Sequence, residues 1–407
     1  MTSILYISYD GMLEPLGQSQ VLGYLEKLAG DHAISLISFE KKKDREDAPR
    51  MAAMRARLKA AGIAWTPLAY HKAPSAPATA YDIAVGTATA IAIALRRGVR
   101  IVHARSYVAA LMALGVKRLT GARLLFDMRG FWADERVDGG LWPAGGRLFR
   151  TAKALERRFL TAADHVVTLT HASVREMARF DYLAGRMPPV TVIPTCADLD
   201  LFSPRPRAGA RPFTLGSVGS VGTWYRFDEV LACYTLIRAR RPDARLLIVN
   251  RNEQETIRRM IAQAGIEPGR VEIIAAAHRE VPDLIAHMDA GTAIIKPVYS
   301  KIASAPTKLA EYLGCGVPCL GNDRVGDMAE VLEGRRVGAA LTDFSEADRQ
   351  DAVKRLLALC DDPDTPRRCV DTARGLFSLE GGVEAYRKVY ESLSASPAPR
   401  SVPIGKA

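Results

Sequence analysis

Short apolar runs alternate with longer segments of helical spacing along almost the whole chain. Ser3–Tyr9, Ile34–Phe39, Arg100–His103, Leu124–Phe126, Val166–Leu169 and Val190–Ile193 show little polar alternation, so each predicts a buried strand. Between them, Ser19–Ala29 (closed by Gly30), Arg50–Ala60, Ala78–Arg97, Arg147–Leu160 and His171 to about Phe180 read as helices. In Arg147–Leu160 the expected inward face is Leu148, Phe149, Ala152, Leu155 and Phe159; in Arg50–Ala60 it is Met51, Met54 and Leu58. The alternation restarts with strands at Phe213–Val218, Arg245–Asn250, Val271–Ile274, Ala293–Ile295 and Val317–Leu320. Helices are expected at Asp228–Arg240, Lys308–Gly314 and Leu379–Ala395. Such alternation marks an α/β chain of parallel sheets covered by helices.

Four prolines (Pro194, Pro204, Pro206 and Pro212) separate the two series and mark a linker. The expected division is a first Rossmann-like domain over 1–203, a linker over 204–212 and a second domain over 213–378. Residues 396–407 are rich in Ser, Pro and Ala and predict a disordered tail.

Six scattered cysteines (Cys196, Cys233, Cys315, Cys319, Cys360 and Cys369) have no companions at metal-ligand spacing, so they read as reduced thiols of a cytoplasmic chain without structural zinc. No basic segment precedes the first apolar run, which therefore reads as a strand and not a signal peptide. Ile83–Leu95 falls short of the roughly 20 residues a membrane span needs. The net charge is +11. Residues 1–203 hold 27 Lys and Arg against 19 Asp and Glu, a net of +8, and the remainder 29 against 26, a net of +3. A basic first half suits an anionic membrane surface or an anionic acceptor, or is simply a solvated surface. No nucleic-acid motif accompanies it, so nucleic acid is not expected as a partner.

The densest chemistry lies at Lys296–Leu320. A loop of small and basic residues runs into Pro306-Thr307, a favourable helix opening. Free amides at a helix start attract an anion; Lys301 and Lys308 add charge, and Glu311 follows one turn inside. A phosphate site flanked by a carboxylate suggests a nucleotide, with amides and Lys on the phosphates and Glu on the sugar hydroxyls.

The stretch Ser304-Ala305-Pro306-Thr307-Lys308-Leu309-Ala310-Glu311-Tyr312, with Gly316 and Pro318, resembles the donor-binding segment of the retaining glycosyltransferases of family 4. Asp198-x-x-x-Phe202-x-Pro204 is similar to their interdomain signature. The resemblance covers about residues 3–395 and implies the GT-B fold, two Rossmann-like domains facing across a cleft, with Leu379–Ala395 crossing back to the first domain. It implies that Glu311 holds ribose, and that Ser304, Ala305, Pro306, Thr307 and Lys308 meet the diphosphate. Many members carry a second Glu eight positions earlier; here that place is Ala303.

Other expectations follow from loops at strand ends. In the first domain, Gly17 permits close backbone approach, which the resemblance places facing the donor's phosphates, and Arg105, Asp127, Arg129 and Glu135 gather at one sheet edge. The resemblance puts Arg129 where members often have a His touching the donor sugar; as a permanent cation it would stabilise charge or bind hydroxyls. In the second domain, the loop Gly219–Arg226 with Gly219 and Gly222 corresponds to a diphosphate contact. Ser220 and Tyr225 stand where basic residues are usual, which leaves Arg226, Lys296, Lys301 and Lys308 as the available cations. His278 lies where the family holds its nucleobase. The expected function is transfer of a sugar from a nucleotide diphosphate sugar to a glycan or lipid-linked acceptor, with retention, at the inner face of the cytoplasmic membrane. Lys308, Arg129 and Glu311 are the expected catalytic group, with neither metal nor cofactor. A nucleotide-sugar epimerase of the same fold and a non-catalytic binding homologue are the alternatives.

Overall fold

The computed structural model describes residues 1–206, 209 and 211–395. The expected tail 396–407 and linker residues 207, 208 and 210 lie outside the described residues. Two sheets carry the fold. The first comprises β1 (Thr2–Ser8), β2 (His32–Glu40), β3 (Ala64–Ala69), β4 (Ile101–Arg105), β5 (Arg123–Asp127), β6 (His165–Thr168) and β7 (Val190–Val192). Its strands are all parallel, in the order β3-β2-β1-β4-β5-β6-β7. The second comprises β8 (Thr214–Val218), β9 (Arg245–Val249), β10 (Val271–Ile274), β11 (Ala290–Thr292), β12 (Cys319–Asn322) and β13 (Gly338–Leu341). It too is parallel, in the order β10-β9-β8-β11-β12-β13. Strand order reverses between β1 and β4 and between β8 and β11, and crevices at such switch points are where open α/β sheets bind ligands.

Alternate residues of each inner strand enter opposite layers. Leu5 and Ile7 join one core of the first domain, and Ile4 and Tyr6 the other. Helices therefore cover both faces, and the strand sequences read as continuous apolar runs. The helix Leu379–Ala395 returns from the second domain to finish the second of these cores. Its Leu379, Val383, Tyr386, Val389, Tyr390 and Leu393 are buried there against Ile4, Leu25, Leu28 and Ile101. The two crossings between domains pair with each other: the Ala197 amide donates to Phe377 O at 2.9 Å, and the Leu379 amide to Ala197 O at 3.0 Å.

Several elements differ from expectation. β11 lies three residues before the apolar run Ala293–Ile295, which continues extended: the Ala293 amide donates to Leu320 O (2.8 Å) and the Ile295 amide to Asn322 Oδ1 (2.8 Å). The expected helix Ser19–Ala29 is broken into Pro15–Gly17, a π turn Gln18–Leu22 and Gly23–Leu28. Within the expected loop Asp127–Arg136, Trp132–Asp138 is helical, with Asp134 and Glu135 in the first turn where the helix dipole favours them. Neither β3 nor β13 was expected. β3 contains Pro67, which an edge strand tolerates, and β13 is Gly-Ala-Ala-Leu with little apolar signal. The stretch thought too short to span a bilayer belongs to a longer helix, Ser75–Arg97, of which Ala76–Arg97 has the length and composition to cross one. Asp82 within it is buried and accepts hydrogen bonds from Tyr9 Oη (2.8 Å) and the His71 amide (3.0 Å). In Arg147–Ala162, Leu148 faces solvent, contrary to expectation, whereas Glu156 is fully buried beside Lys153 and Tyr107.

Candidate active site

The floor of the cleft is built from the ends of β1, β4 and β5. The loop after β1 folds back so tightly that a Cβ on Gly17 would lie 2.1 Å from Gly11 O; only glycine fits. This loop is held by Glu40 at the end of β2, a fully buried carboxylate that accepts from the Met12 amide (2.9 Å), the Leu13 amide (3.4 Å) and Ser38 Oγ (2.6 Å). Arg105 is buried and paired with Asp10. Asp127 accepts from Tyr386 Oη at 3.0 Å, with His103 Nε2 3.6 Å away and Arg129 Nη1 at 3.9 Å. Burial pushes the Asp127 carboxyl up, but Arg129 and its other neighbours outweigh this and hold it below the usual carboxylate range. Burial lowers His103, so that ring is neutral at pH 7. Arg129 has φ +60° and a side chain only 14% exposed. It is not a free cation over the cleft but the partner of Asp127, tucked among Tyr6, Tyr24 and Tyr386.

A strap from the second domain crosses to the first at Tyr299–Ala303. Tyr299 stacks on Phe131 and donates to Glu176 (3.0 Å), and the Ser300 amide donates to Asp138 (2.8 Å). Lys301 Nζ pairs with Glu135 at 2.7 Å and lies 3.8 Å above the Trp224 ring. Glu135 is thus a domain-to-domain tie, and the Lys301 charge is already met. Asp327 accepts from the amides of His171 (2.6 Å) and Ala172 (2.8 Å), closing the start of the helix His171–Met177 across the same joint. Ala303 is fully buried within the first domain's core, which leaves no room there for a glutamate. On the hinge side, Ser304, Ala305, Pro306 and Leu309 line a cavity of about 570 Å³ together with Leu169, Ile193, Met328 and Phe377.

Beyond the strap, Thr307–Gly314 forms the expected helix, and no side chain caps its first turn. Lys308 and Glu311 stand one turn apart on it, and both are buried, at 8% exposure each. Lys308 Nζ rests 3.9 Å above the Tyr225 ring and faces Gly219, whose φ of +93° lets the turn pass close by. Burial lowers the Lys308 ammonium to about 8 and raises the Glu311 carboxyl to about 7. Among the described residues neither has a hydrogen-bond or ion-pair partner. An unpaired buried charge is costly, and groups perturbed by burial in this way mark a candidate site.

The Gly219–Arg226 loop is different. Glu253, just after β9, accepts from Ser220 Oγ (3.0 Å), the Val221 amide (3.1 Å), the Gly222 amide (2.9 Å) and Asn250 Nδ2 (3.0 Å). These bonds outweigh burial and lower the Glu253 carboxyl. Arg226 is committed elsewhere, to Asp228 (2.7 Å) and Glu229 (2.6 Å), and lies over Phe344. Lys296 is half-buried and joins no ion pair among the described residues. His278 packs on Phe202 with ring centroids 5.2 Å apart, and burial lowers it.

Residues 18–196 match the family described as glycosyl transferase 4-like domain, and residues 202–376 the family described as glycosyl transferases group 1. The chain is a GT-B glycosyltransferase. Sucrose-phosphate synthase from Thermosynechococcus elongatus superposes with a TM-score of 0.73 at 14% identity, covering 98% of this chain and all (100%) of that one. A glycosyltransferase from Rickettsia africae gives 0.71 at 13% identity, covering 97% and 99%. Anabaena HepE in complex with UDP and glucose gives 0.64 at 14% identity, covering 97% and 100%. At these identities the likeness is one of fold. No curated protein matches the chain.

In this glycosyltransferase the structure brings Gly219, Lys308, Glu311 and Tyr225 together, and separately joins Asp127 to Arg129. Sequence reasoning noted Tyr225 only as standing where a basic residue is usual, and missed Trp224, Glu253, Glu40 and Tyr386. These side chains act through long-range packing or hydrogen bonds with no local spacing to announce them. Among the described residues no three His, Cys, Asp or Glu cluster to hold a metal ion.

Proposed function

We propose that the enzyme transfers a sugar from a nucleotide diphosphate sugar to a glycan or lipid-linked acceptor with retention, in the synthesis of a cell-surface polysaccharide or glycolipid. The observation that carries the donor assignment is the pair of buried, unpartnered charges, Lys308 and Glu311, on the uncapped first turns of one helix. Glu311 holds the ribose hydroxyls. Lys308 and the helix-start amides meet the diphosphate as it leaves, the main demand when an oxocarbenium-like sugar parts from an anion. In this reading no metal is needed. Retention and acceptor class rest on the resemblance to family 4.

The test is a panel of nucleotide sugars, read by released nucleotide with and without acceptor and by direct binding. Release from at least one donor supports transfer; binding without release supports the non-catalytic alternative, and sugar conversion without acceptor the epimerase.

The proposed location is cytoplasmic and peripheral to the membrane. Met54 and Leu58 of the helix Ala48–Ala60 are buried in the core, so that helix has no apolar face to offer. Leu148, 57% exposed between Arg147 and Arg150 in sequence, and Leu141, 63% exposed in the preceding loop, are the better candidates. Sedimentation with anionic vesicles should show binding that weakens with salt. Equal recovery with neutral vesicles would remove the idea.

A further inference from the structure

We propose that Glu253 is a resident anion that sets how much the second phosphate of a nucleotide contributes to binding at this site. The inference rests on the donor reading above. Two backbone amides, a hydroxyl and a carboxamide converge on its carboxylate at 2.9–3.1 Å, which is the donor set of an anion nest. The nest lies at the ends of β8 and β9, beside the switch point and the Gly219 turn that faces Lys308. The fit is close: a Cβ on Gly222 would lie 2.6 Å from Glu253 Oε1.

The fold contains a second carboxylate of the same design, and the two differ in one respect. Glu40 grips the loop after β1 from the end of the neighbouring strand, and a Cβ on Gly11 would lie 2.7 Å from its Oε2. Glu40 is fully buried, so nothing can exchange with it. Glu253 is half-buried, and Ser220 and Gly219 beside it are exposed. An incoming phosphate can therefore reach the nest, but finds its donors taken and a negative charge in place. The turn also lacks a cation of its own, since Arg226 is bound to Asp228 and Glu229. Glu253 is thus a specificity-determining residue. The nucleotide is gripped at its ribose and by Lys308, while the loop withholds its amides from the outer phosphate.

The test measures affinities of uridine, UMP and UDP, and the matching guanosine and adenosine series, for the wild type, Glu253→Gln and Glu253→Ala. Removing the charge should raise nucleoside diphosphate affinity by about tenfold, as expected for one like charge at close range, and leave the nucleoside unchanged. Ser220→Ala, at an exposed position that tolerates substitution, loosens Glu253 and should shift the diphosphate in the same direction by less. A brace with no part in selectivity would weaken nucleoside and nucleotide together. An unchanged ratio, or a fall in diphosphate affinity for Ser220→Ala, overturns the proposal. If no nucleoside or nucleotide binds even the wild type, the donor reading itself fails.

Discussion

The two walls of the cleft treat charge in opposite ways. On the first domain every ionised side chain near the strand ends is spoken for: Arg105 by Asp10, Asp127 by Arg129 and Tyr386, Glu135 by Lys301. On the second domain Lys308 and Glu311 are buried with no hydrogen-bond or ion-pair partner among the described residues; burial brings the Lys308 ammonium down to about 8 and the Glu311 carboxyl up to about 7, each offset in part by the other's charge. The contrast separates groups that hold the enzyme's shape from groups that the proposed function assigns to the donor. Burial alone does not tell them apart, since Asp127 is even less exposed than Glu311. What differs is whether the fold has already supplied the counter-charge.

The contrast breaks most visibly if Asp127 proves to be a ligand group. Asp127→Asn strands the Arg129 charge in the interior. Breaking such a pair costs about 3–5 kcal/mol, or roughly 4–6 °C in Tm for a chain of this size. Nucleotide affinity in the folded fraction should be unchanged, and calorimetry with parallel binding measurements checks both. On the opposite wall, Lys308→Ala should leave stability near or above that of the wild type while kcat falls by about 10²-fold or more, the scale of losing one preorganised stabiliser. Normal turnover at saturating donor would show that the leaving group is met elsewhere. Glu311→Ala is expected to weaken nucleotide binding by about one to two orders of magnitude, since a hydrogen bond to a charged group contributes roughly 1.5–3 kcal/mol. Unaltered affinity in a folded variant would place the ribose somewhere else.

The smallest effect is the sharpest. Burial raises the Glu311 carboxyl to about 7 from its ordinary 4.5, so ionisation is easier in the unfolded chain. The wild type must therefore lose stability as pH rises from about 4.5 to 7, and the loss stays constant above that window. Glu311→Gln removes this penalty. Its Tm advantage should be absent near pH 4, grow through that window and level off at a few degrees, at roughly 1 °C per kcal/mol for a chain of this length. An advantage independent of pH would mean that folding does not shift the Glu311 carboxyl, and a disadvantage growing with pH that it has a partner in the folded state.

Much of the architecture was readable because parallel strands buried on both faces leave an apolar run that few other elements imitate. Where the run is short or poor in side chains, as at Ala290–Thr292 and Gly338–Leu341, register and existence were lost. Lys308 and Glu311 were legible because motif and helix phase coincide on one short segment. The fate of Arg129, Arg226 and Lys301 was not, because each is claimed by an acid that folding brings to it: Asp127 at the end of β5, Asp228 and Glu229 on the next helix, and Glu135 on the other domain. Sequence shows which residues carry charge; only the fold shows which of them keep it available.

The helix Leu379–Ala395 has a consequence for biosynthesis. It supplies Val383, Tyr386, Tyr390 and Leu393 to a core whose other half is encoded before residue 203, and Tyr390 bonds His103 at 2.7 Å. At ribosomal speeds of about 5–20 residues per second, the residues between 203 and 379 take roughly 10–35 s to emerge. Throughout that interval the first domain presents an uncovered apolar face around Ile4, Leu25 and Ile101. The nascent protein therefore waits, half finished, for its own last segment, and a chain terminated before residue 379 would leave the ribosome as a client for chaperones.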